Sequence, residues 1–284
     1  MKNTILTSIV FGAFCLASIP AVHAAKRDKA ESHNPPASAK FVDDAPAPKE
    51  PLTLWYRKPA KKWETEALPI GNGRLAGMVF GGVARERIQL NEETVWDGKY
   101  IDRHNPEALK ALPEVQRLLF EGRNKEATQL AGKAMMGNPS RIKSYQTLGD
   151  LLLDFPDAQT VSTYRRDLDL TTAVSRTSYK VDGVTYTREV FVSEPDQVMV
   201  VQMTADKSGK LNFRARLDRR GATTVEGPGN RLILRGKLGV KYEAQLLPRV
   251  KGGKVLVKDG QLIISNADEV TLLLSGATSY IHAE

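Results

Sequence analysis

The sequence predicts a mainly β protein, a large antiparallel sandwich, and two observations lead to this prediction. From Tyr145 onward, short runs alternate apolar and polar residues, a pattern typical of strands with one buried face. One such run has its apolar positions at Leu211, Phe213, Ala215 and Leu217. Turn dipeptides such as Asp182-Gly183 separate the runs and favour tight hairpins. Many short strands joined in this way are typical of a two-layer β fold.

The composition fits one large folded domain. The chain has 284 residues, of which 41% are hydrophobic and 26% are charged. The formal charge of +8 comes from basic residues spread along the chain, which indicates a solvated basic surface. There is no zinc-finger spacing and no basic helix, so we expect no nucleic-acid partner.

The first residues resemble an export signal. Lys2 precedes an apolar run over residues 5–17, and Val22-His23-Ala24 has small residues placed for cleavage after Ala24. Residues 1–24 are therefore predicted to be a signal peptide, which would remove the single cysteine, Cys15. A mature chain without cysteines suits a bacterial periplasm or the medium, and after cleavage we expect no membrane association.

The residues after the signal change in composition before the folded domain begins. Residues 25–50 are rich in Ala, Pro, Lys and Asp and lack apolar periodicity, so they are predicted to be a flexible linker. The folded domain is expected to span residues 51–284.

The stretch from Trp55 to Gly98 predicts a strand, a tight loop and a second strand. Leu75, Met78, Val79 and Phe80 form a short apolar run bounded by turn residues. Gly71 to Ala76 also satisfies the dinucleotide fingerprint G-x-G-x-x-[GA]. That chemistry needs a helix next, whereas the residues that follow are too rich in glycine. A tight hairpin is favoured instead, with Asn72 at a positive φ angle.

A short helical insertion is predicted near residues 106–136. Asn105-Pro106 begins the first helix, whose apolar residues recur at helical spacing, and Gly122 ends it. A second helix is expected from Asn124 to about Met135, and we expect the pair to lie on the sheet.

The remaining chain predicts strands and hairpins up to a last apolar strand over residues 270–274. Asp182-Gly183, Gly252-Gly253 and Asp259-Gly260 are the predicted hairpin turns. Thr177, Tyr179, Thr185, Tyr186 and Thr187 are read as strand residues first and as sugar contacts second.

Several ordered blocks of sequence carry a family resemblance. They are ALPIGNGRLAGMVFGG, IQLNEETVWDG, YQTLGDLLLDF, YRRDLDLTTA and YTREVFVSEPDQVMVV. Together they resemble the N-terminal region of glycoside hydrolase family 95, the α-L-fucosidases that release fucose from oligosaccharides and plant cell-wall glycans. The chain departs from that pattern slightly at Ala76-Gly77 and at Thr147. The resemblance implies a two-sheet supersandwich, which the family follows with a helical linker and an (α/α)6 barrel absent from this sequence.

The resemblance also implies where the chemistry lies. In the family, a glutamate of the barrel is the general acid, and barrel asparagines supported by an aspartate activate the water. We therefore assign no catalytic residue here, although Glu92, Glu93, Asp97 and Asp102 invite a search for a carboxylate pair. The complete enzyme is expected to remove fucose from fucosylated glycans with inversion, and this chain alone is expected to be inactive. The alternatives are a carbohydrate-binding or scaffold module, or α-L-galactosidase specificity.

A supporting role remains for one group of residues. The candidates for barrel docking or for the rim of the sugar pocket are Asn72, Arg74, Asn91, Glu92 and Trp96. The alternative is that Trp96 is a core aromatic and that the polar members satisfy turns. No metal site is expected, since His23, His104 and His282 are scattered, and no cofactor is expected.

Overall fold

The computed structural model describes residues 39–43, 45–98, 100–156, 158 and 160–281. The predicted signal peptide and most of the predicted linker lie outside these residues. The strands are β1 Lys40–Val42, β2 Thr53–Tyr56, β3 Leu68–Gly71, β4 Leu75–Val79, β5 Arg85–Glu92, β6 Gly149–Asp154, β7 Thr160–Asp169, β8 Val174–Val181, β9 Val184–Ser193, β10 Val198–Ala205, β11 Leu211–Asp218, β12 Thr223–Gly227, β13 Arg231–Lys237, β14 Lys241–Lys251, β15 Lys254–Lys258, β16 Gln261–Ala267 and β17 Glu269–Thr278. The helices are α1 Glu107–Phe120 and α2 Asn124–Ala134.

These strands form two sheets, which confirms the predicted mainly β, two-sheet fold. The larger sheet has ten strands in the order β1-β7-β8-β9-β10-β17-β14-β13-β12, with β2 also paired to β7. The smaller sheet has seven strands in the order β15-β16-β11-β6-β5-β4-β3. Every described pairing is antiparallel except that of β1 with β7.

The core lies between the two sheets. Leu75, Ile88 and Leu151 of the smaller sheet and Met199 and Leu272 of the larger sheet belong to one buried cluster. Their neighbours along each strand alternate in burial, because successive side chains point to opposite faces of a sheet. Burial of this apolar surface is the main favourable contribution to folding.

The helical insertion is present where the sequence predicts it. Gly122 adopts a φ of +74° in the link between the helices, a conformation in which glycine carries no steric cost. The buried residues Val115, Leu118 and Ala127 form a separate cluster with residues of α2. The helices thus pack mainly against each other, which corrects the expectation that they lie on the sheet.

The predicted turns divide into two kinds. Val181 pairs with Val184 across Asp182-Gly183, and Lys258 pairs with Gln261 across Asp259-Gly260, so both hairpins are confirmed. The hairpin predicted at Gly252-Gly253 is wrong. Both glycines have positive φ angles, but they lead the chain from β14 in the larger sheet to β15 in the smaller one.

Part of the predicted linker is also wrong. Residues 40–42 form β1, which pairs with β7, and the ring of Phe41 meets that of Tyr164 edge-on with centroids 5.2 Å apart. Ala45 is 3% exposed. A three-residue strand has too few residues to show a period, and only its distant partner reveals it.

Candidate functional site

The five candidate residues meet at one end of the sandwich. Asn72 and Arg74 lie in the turn between β3 and β4, whereas Asn91 and Glu92 end β5. Strand β5 pairs with β4 so that Leu75 faces Glu92. The turn between β9 and β10 and the end of β17 reach the same place from the other sheet.

Asn72 fixes the β3–β4 turn. Its side-chain oxygen accepts hydrogen bonds from the backbone N–H groups of Arg74 and Leu75, at 3.1 and 2.8 Å. Its amide nitrogen donates to the carbonyl of Ser193 at 3.0 Å. The positive φ angle predicted for Asn72 belongs instead to Gly73, at +96°. Glycine takes this conformation without a Cβ penalty, which frees the asparagine side chain to bridge the two sheets.

Arg74 ties three segments together. Its Nε donates to the side-chain oxygen of Gln197 at 2.7 Å, and its Nη1 donates to the carbonyl of Gly276 at 2.8 Å. The same nitrogen lies 3.4 Å from a carboxylate oxygen of Glu92. A planar guanidinium suits this task because its donors point in fixed directions.

Glu92 is buried and fully engaged. It is 3% exposed, and its second carboxylate oxygen accepts hydrogen bonds from the backbone N–H and the hydroxyl of Thr94, at 2.9 and 2.7 Å. The hydroxyl of Thr94 also contacts that of Thr278 on β17. Asp102 likewise accepts from the backbone N–H of His104 at 2.9 Å. Both carboxylates therefore serve local structure.

Trp96 differs from the polar candidates because it faces solvent. It is 38% exposed, and its ring packs edge-on against Tyr145 with centroids 5.1 Å apart. The Tyr145 hydroxyl donates to the carbonyl of Glu92 at 3.0 Å. Burial raises the pKa of Tyr145, and a hydrogen bond with Asn91 opposes that shift. We call Trp96 and Tyr145 the aromatic pair. Because Trp96 is exposed, the alternative of a core aromatic is wrong.

The alternative for the polar candidates fits their contacts. Asn72 and Glu92 satisfy backbone groups of turns, and Arg74 satisfies the carbonyl of Gly276 in β17. Within the described ranges, no group of three or more His, Cys, Asp or Glu side chains is placed to hold a metal ion. In the same ranges, no helix is long and apolar enough to cross a bilayer.

Sequence reasoning missed a buried polar cluster where β5 begins. Glu86 is fully buried and accepts backbone hydrogen bonds from Phe80 and Gly81, at 3.1 and 2.9 Å. Arg188, 3% exposed, reaches it from the larger sheet at 2.9 Å. Burial raises the pKa of Glu86, whereas the charge of Arg188 opposes that rise. Tyr164 adds a 2.6 Å hydrogen bond to the carbonyl of Gly81.

A signal for this cluster was present in the sequence. Glu86 and Glu92 share the period-two register of Ile88 and Leu90, so all four side chains face the interior. A glutamate in an apolar register predicts a buried carboxylate with a partner. The identity of that partner, about one hundred residues away, is not encoded locally.

Comparisons with known proteins found a matching family and similar sequences. Residues 54–283 match the family described as "Glycosyl hydrolase family 65, N-terminal domain". The chain is 36% identical over 261 residues to Alpha-L-fucosidase 2 of Arabidopsis thaliana, covering 81% of this chain and 30% of that protein. It is 29% identical to a probable alpha-fucosidase A of Aspergillus niger, covering 70% of this chain and 26% of that protein.

A solved structure is also similar. A putative kojibiose phosphorylase from the human microbiome has a TM-score of 0.44 and 9% identity, covering 81% of this chain and 33% of that one. The expected likeness to α-L-fucosidases is confirmed by the curated relatives, although the matching family carries the number 65 and not 95. The chain spans less than a third of the length of these relatives.

Proposed function

This chain belongs to the family of N-terminal domains of glycosyl hydrolase family 65, and on that premise we propose that it is the β-sandwich domain of an inverting α-L-fucosidase-like enzyme. The observation that carries the proposal is the 36% identity to an α-L-fucosidase over 81% of this chain. The complete enzyme would act on fucosylated oligosaccharides or glycans. The reacting groups would belong to a helical catalytic barrel, and this domain would support that barrel.

The contacts of the five candidate residues indicate which of them are available to contact the barrel. Asn72, Arg74 and Glu92 are committed to hydrogen bonds within the sandwich. The hydrogen bond from the Tyr145 hydroxyl to the carbonyl of Glu92 anchors the aromatic pair, and Trp96 remains exposed. Exposed tryptophans are frequent anchors of protein interfaces, because they bury a large area with little loss of rotamer freedom. Trp96 is therefore the docking contact for the barrel, and Asn91 positions Tyr145 beneath it.

A chimeric enzyme tests this role. The matching N-terminal region of the Arabidopsis relative would be replaced by this chain, and fucose release and melting temperature would be measured. We expect the chimera to release fucose, and we expect Trp96→Ala to lower both quantities, since an interface anchor contributes on the order of 2 kcal/mol. Trp63→Ala is the matched control, because Trp63 is 47% exposed but lies outside the pair. Equal behaviour of the two variants contradicts the docking role.

Sugar preference is addressed with the complete enzyme proposed to contain this chain, because the reacting groups would belong to its own barrel. Fucose and L-galactose differ only at the terminal carbon, so an α-L-galactoside would be assayed beside an α-L-fucoside. We expect faster release from the fucoside. A chain that binds glycans but supports no hydrolysis in the chimera would instead be a carbohydrate-binding or scaffold module.

Export is the remaining part of the proposal. The basic start, the apolar run and the small residues before Ala25 support a signal peptide and a periplasmic or extracellular location. N-terminal sequencing of the protein from a bacterial host is expected to begin at Ala25. A protein that retains Met1 in the cytoplasmic fraction would contradict export.

A further inference from the structure

A surface groove lies at the start of β3, away from the candidate site. Its volume is about 490 Å³, within the range of small-ligand sites. Its lining residues are Tyr56, Arg57, Lys58, Pro59, Lys61, Glu66 and Arg166. Glu66 precedes β3, whereas Asn72 follows it, so β3 separates the groove from the candidate site.

Arg166 of β7 builds one wall of this groove. It is 2% exposed, and its guanidinium donates to the carbonyls of Lys58 and Glu66, both at 2.7 Å. The ring of Tyr56 stacks on it with 4.1 Å between the guanidinium carbon and the ring centroid. These contacts fix the two rim segments relative to the larger sheet. The groove is thus a built feature of the fold.

Arg166 forms no ion pair within the part of the chain that the structure describes, although the charges of Glu66 and Glu86 act on it at longer range. Its contacts are two carbonyls and an aromatic ring, and no carboxylate of the described chain lies within ion-pair distance. A buried cation without a carboxylate partner is uncommon, because removing a charge from water is costly. The arrangement favours an anion in the groove.

The rim adds positive charge. Arg57, Lys58 and Lys61 join Arg166 against the single carboxylate of Glu66, which gives the lining a net charge of +3. That carboxylate accepts hydrogen bonds from the backbone N–H groups of Lys61 and Lys62, at 2.6 and 3.4 Å, so it serves to shape the loop. Low-dielectric walls lined by one sign of charge concentrate ligands of the opposite sign.

We propose that this groove binds an acidic saccharide, through the carboxylate of a hexuronate unit. Lys58 and Lys61 would hold the carboxylate, and Tyr56 and Pro59 would contact the apolar face of the sugar ring. The choice of a saccharide rests on the proposed function, whereas the anion site rests on the groove alone. Such a site would hold an acidic polymer near the enzyme without taking part in bond cleavage.

Titration of the purified full chain with three probes tests this site. The probes are a trimer of galacturonic acid, a neutral trimer of glucose and sodium sulfate, each followed by calorimetry at low salt. We expect saturable binding of the acidic trimer, at least tenfold weaker binding of sulfate and no saturation by the neutral trimer. Raising the salt to about 0.5 M is expected to weaken binding of the acidic trimer, because screening shortens the range of charge attraction.

Paired charge reversals locate the binding. Lys58→Glu with Lys61→Glu is expected to weaken binding of the acidic trimer at least tenfold. The backbones of Lys58 and Lys61 shape the groove, but both side chains are exposed, so the fold is expected to persist. Lys254→Glu with Lys258→Glu changes the net charge equally on exposed positions of β15 and is expected to have little effect.

Four results would overturn the proposal. Absence of binding, or equal weakening by both double variants, contradicts the site. Sulfate that binds as tightly as the acidic trimer contradicts saccharide recognition, and equal binding of the neutral trimer contradicts the role of charge. Since the isolated chain is titrated here and fucose release is measured in the chimera, failure of this proposal is distinguishable from failure of the proposed function.

Discussion

Arg188 and Glu86 form an ion pair that crosses the interior from one sheet to the other. Their side chains are 3% and 0% exposed. The desolvation of such a pair roughly offsets its attraction, but loss of one partner leaves a buried charge alone. An equivalent pair at the surface, Arg176 with Glu189, has side chains 46% and 32% exposed and keeps its hydration.

The two pairs give a matched prediction. Arg188→Met is expected to lower the free energy of unfolding by about 3–5 kcal/mol, because Glu86 loses its cation. Arg176→Met on the same sheet is expected to cost about 1 kcal/mol or less. Urea denaturation followed by circular dichroism measures both values. Comparable losses for the two variants would contradict the assigned burial.

The buried hydroxyl of Tyr179 is expected to make the free energy of unfolding depend on pH. Burial raises its pKa to about 12 from the ordinary value of 10. Since the folded state holds its proton more tightly, this tyrosine contributes stability that is complete below pH 10 and is lost as the pH rises toward 12. Tyr179→Phe is expected to reduce the fall in unfolding free energy over that window. Tyr100→Phe, at a side chain 92% exposed, is the control and is expected to leave the fall unchanged.

The candidate site illustrates how much of a residue's position and contacts can be predicted from the sequence. The sequence predicted Asn72 and Arg74 in a tight hairpin and grouped Glu92 with them as a candidate, and the structure brings the three together. It could not show that Arg74 reaches Gly276, because that contact joins residues far apart in the chain. The partner of Glu86 was hidden for the same reason.

For the strands and helices, short sequence patterns located the turns, but they did not reveal which distant strands pair with each other. The turn at Asp182-Gly183 was predictable because both residues adopt positive φ angles within one hairpin. Gly252-Gly253 has the same local signature, yet it links the two sheets. The difference depends on which strand each neighbour pairs with, and no short window contains that information.

Helix α2 offers a stability prediction at this scale. A Cβ at Gly132 would meet no atom within 4 Å, and the residue lies inside the helix. Gly132→Ala is expected to stabilise α2 by about 0.5–1 kcal/mol, because alanine loses less backbone entropy on folding. Hydrogen exchange of the α2 amides would slow correspondingly, and unchanged exchange would contradict a stable solvent-facing helix.

Gly82 gives the opposite case for comparison. A Cβ there would lie 1.7 Å from the carbonyl oxygen of Arg85, so the loop before β5 would have to move. Gly82→Ala is expected to lower the unfolding free energy by at least about 3 kcal/mol. A variant as stable as the wild type in urea would show that this loop has another conformation.

For the whole molecule, the sequence predicted two sheets but not their strand order. Strand β10 pairs with β17. Strand β5 pairs with β6, which follows it in the chain after the helical insertion. These pairings join distant segments, and their register follows from the buried core. The family resemblance supplied the overall architecture, which periodicity alone indicated only as a sandwich.

The surface of the insertion leads to a prediction about association. Leu109 and Phe120 of α1 are 77% and 91% exposed. Exposed apolar side chains of this size favour contact with other molecules. We expect the isolated chain to self-associate as its concentration rises, and Leu109→Ser with Phe120→Ser to reduce this. Light scattering that shows a monomer at all concentrations would contradict the expectation.

An assay of fucose release by the isolated chain is the most direct test of the proposal that the reacting groups belong to the barrel and not to the sandwich. The purified full chain would be incubated with an α-L-fucosyl oligosaccharide, beside the Glu92→Gln variant and the active Arabidopsis relative. We predict no release above background by this chain, because its best-placed carboxylates are committed to structural hydrogen bonds. Release by the wild-type chain that Glu92→Gln abolishes would show that the sandwich itself carries out the cleavage.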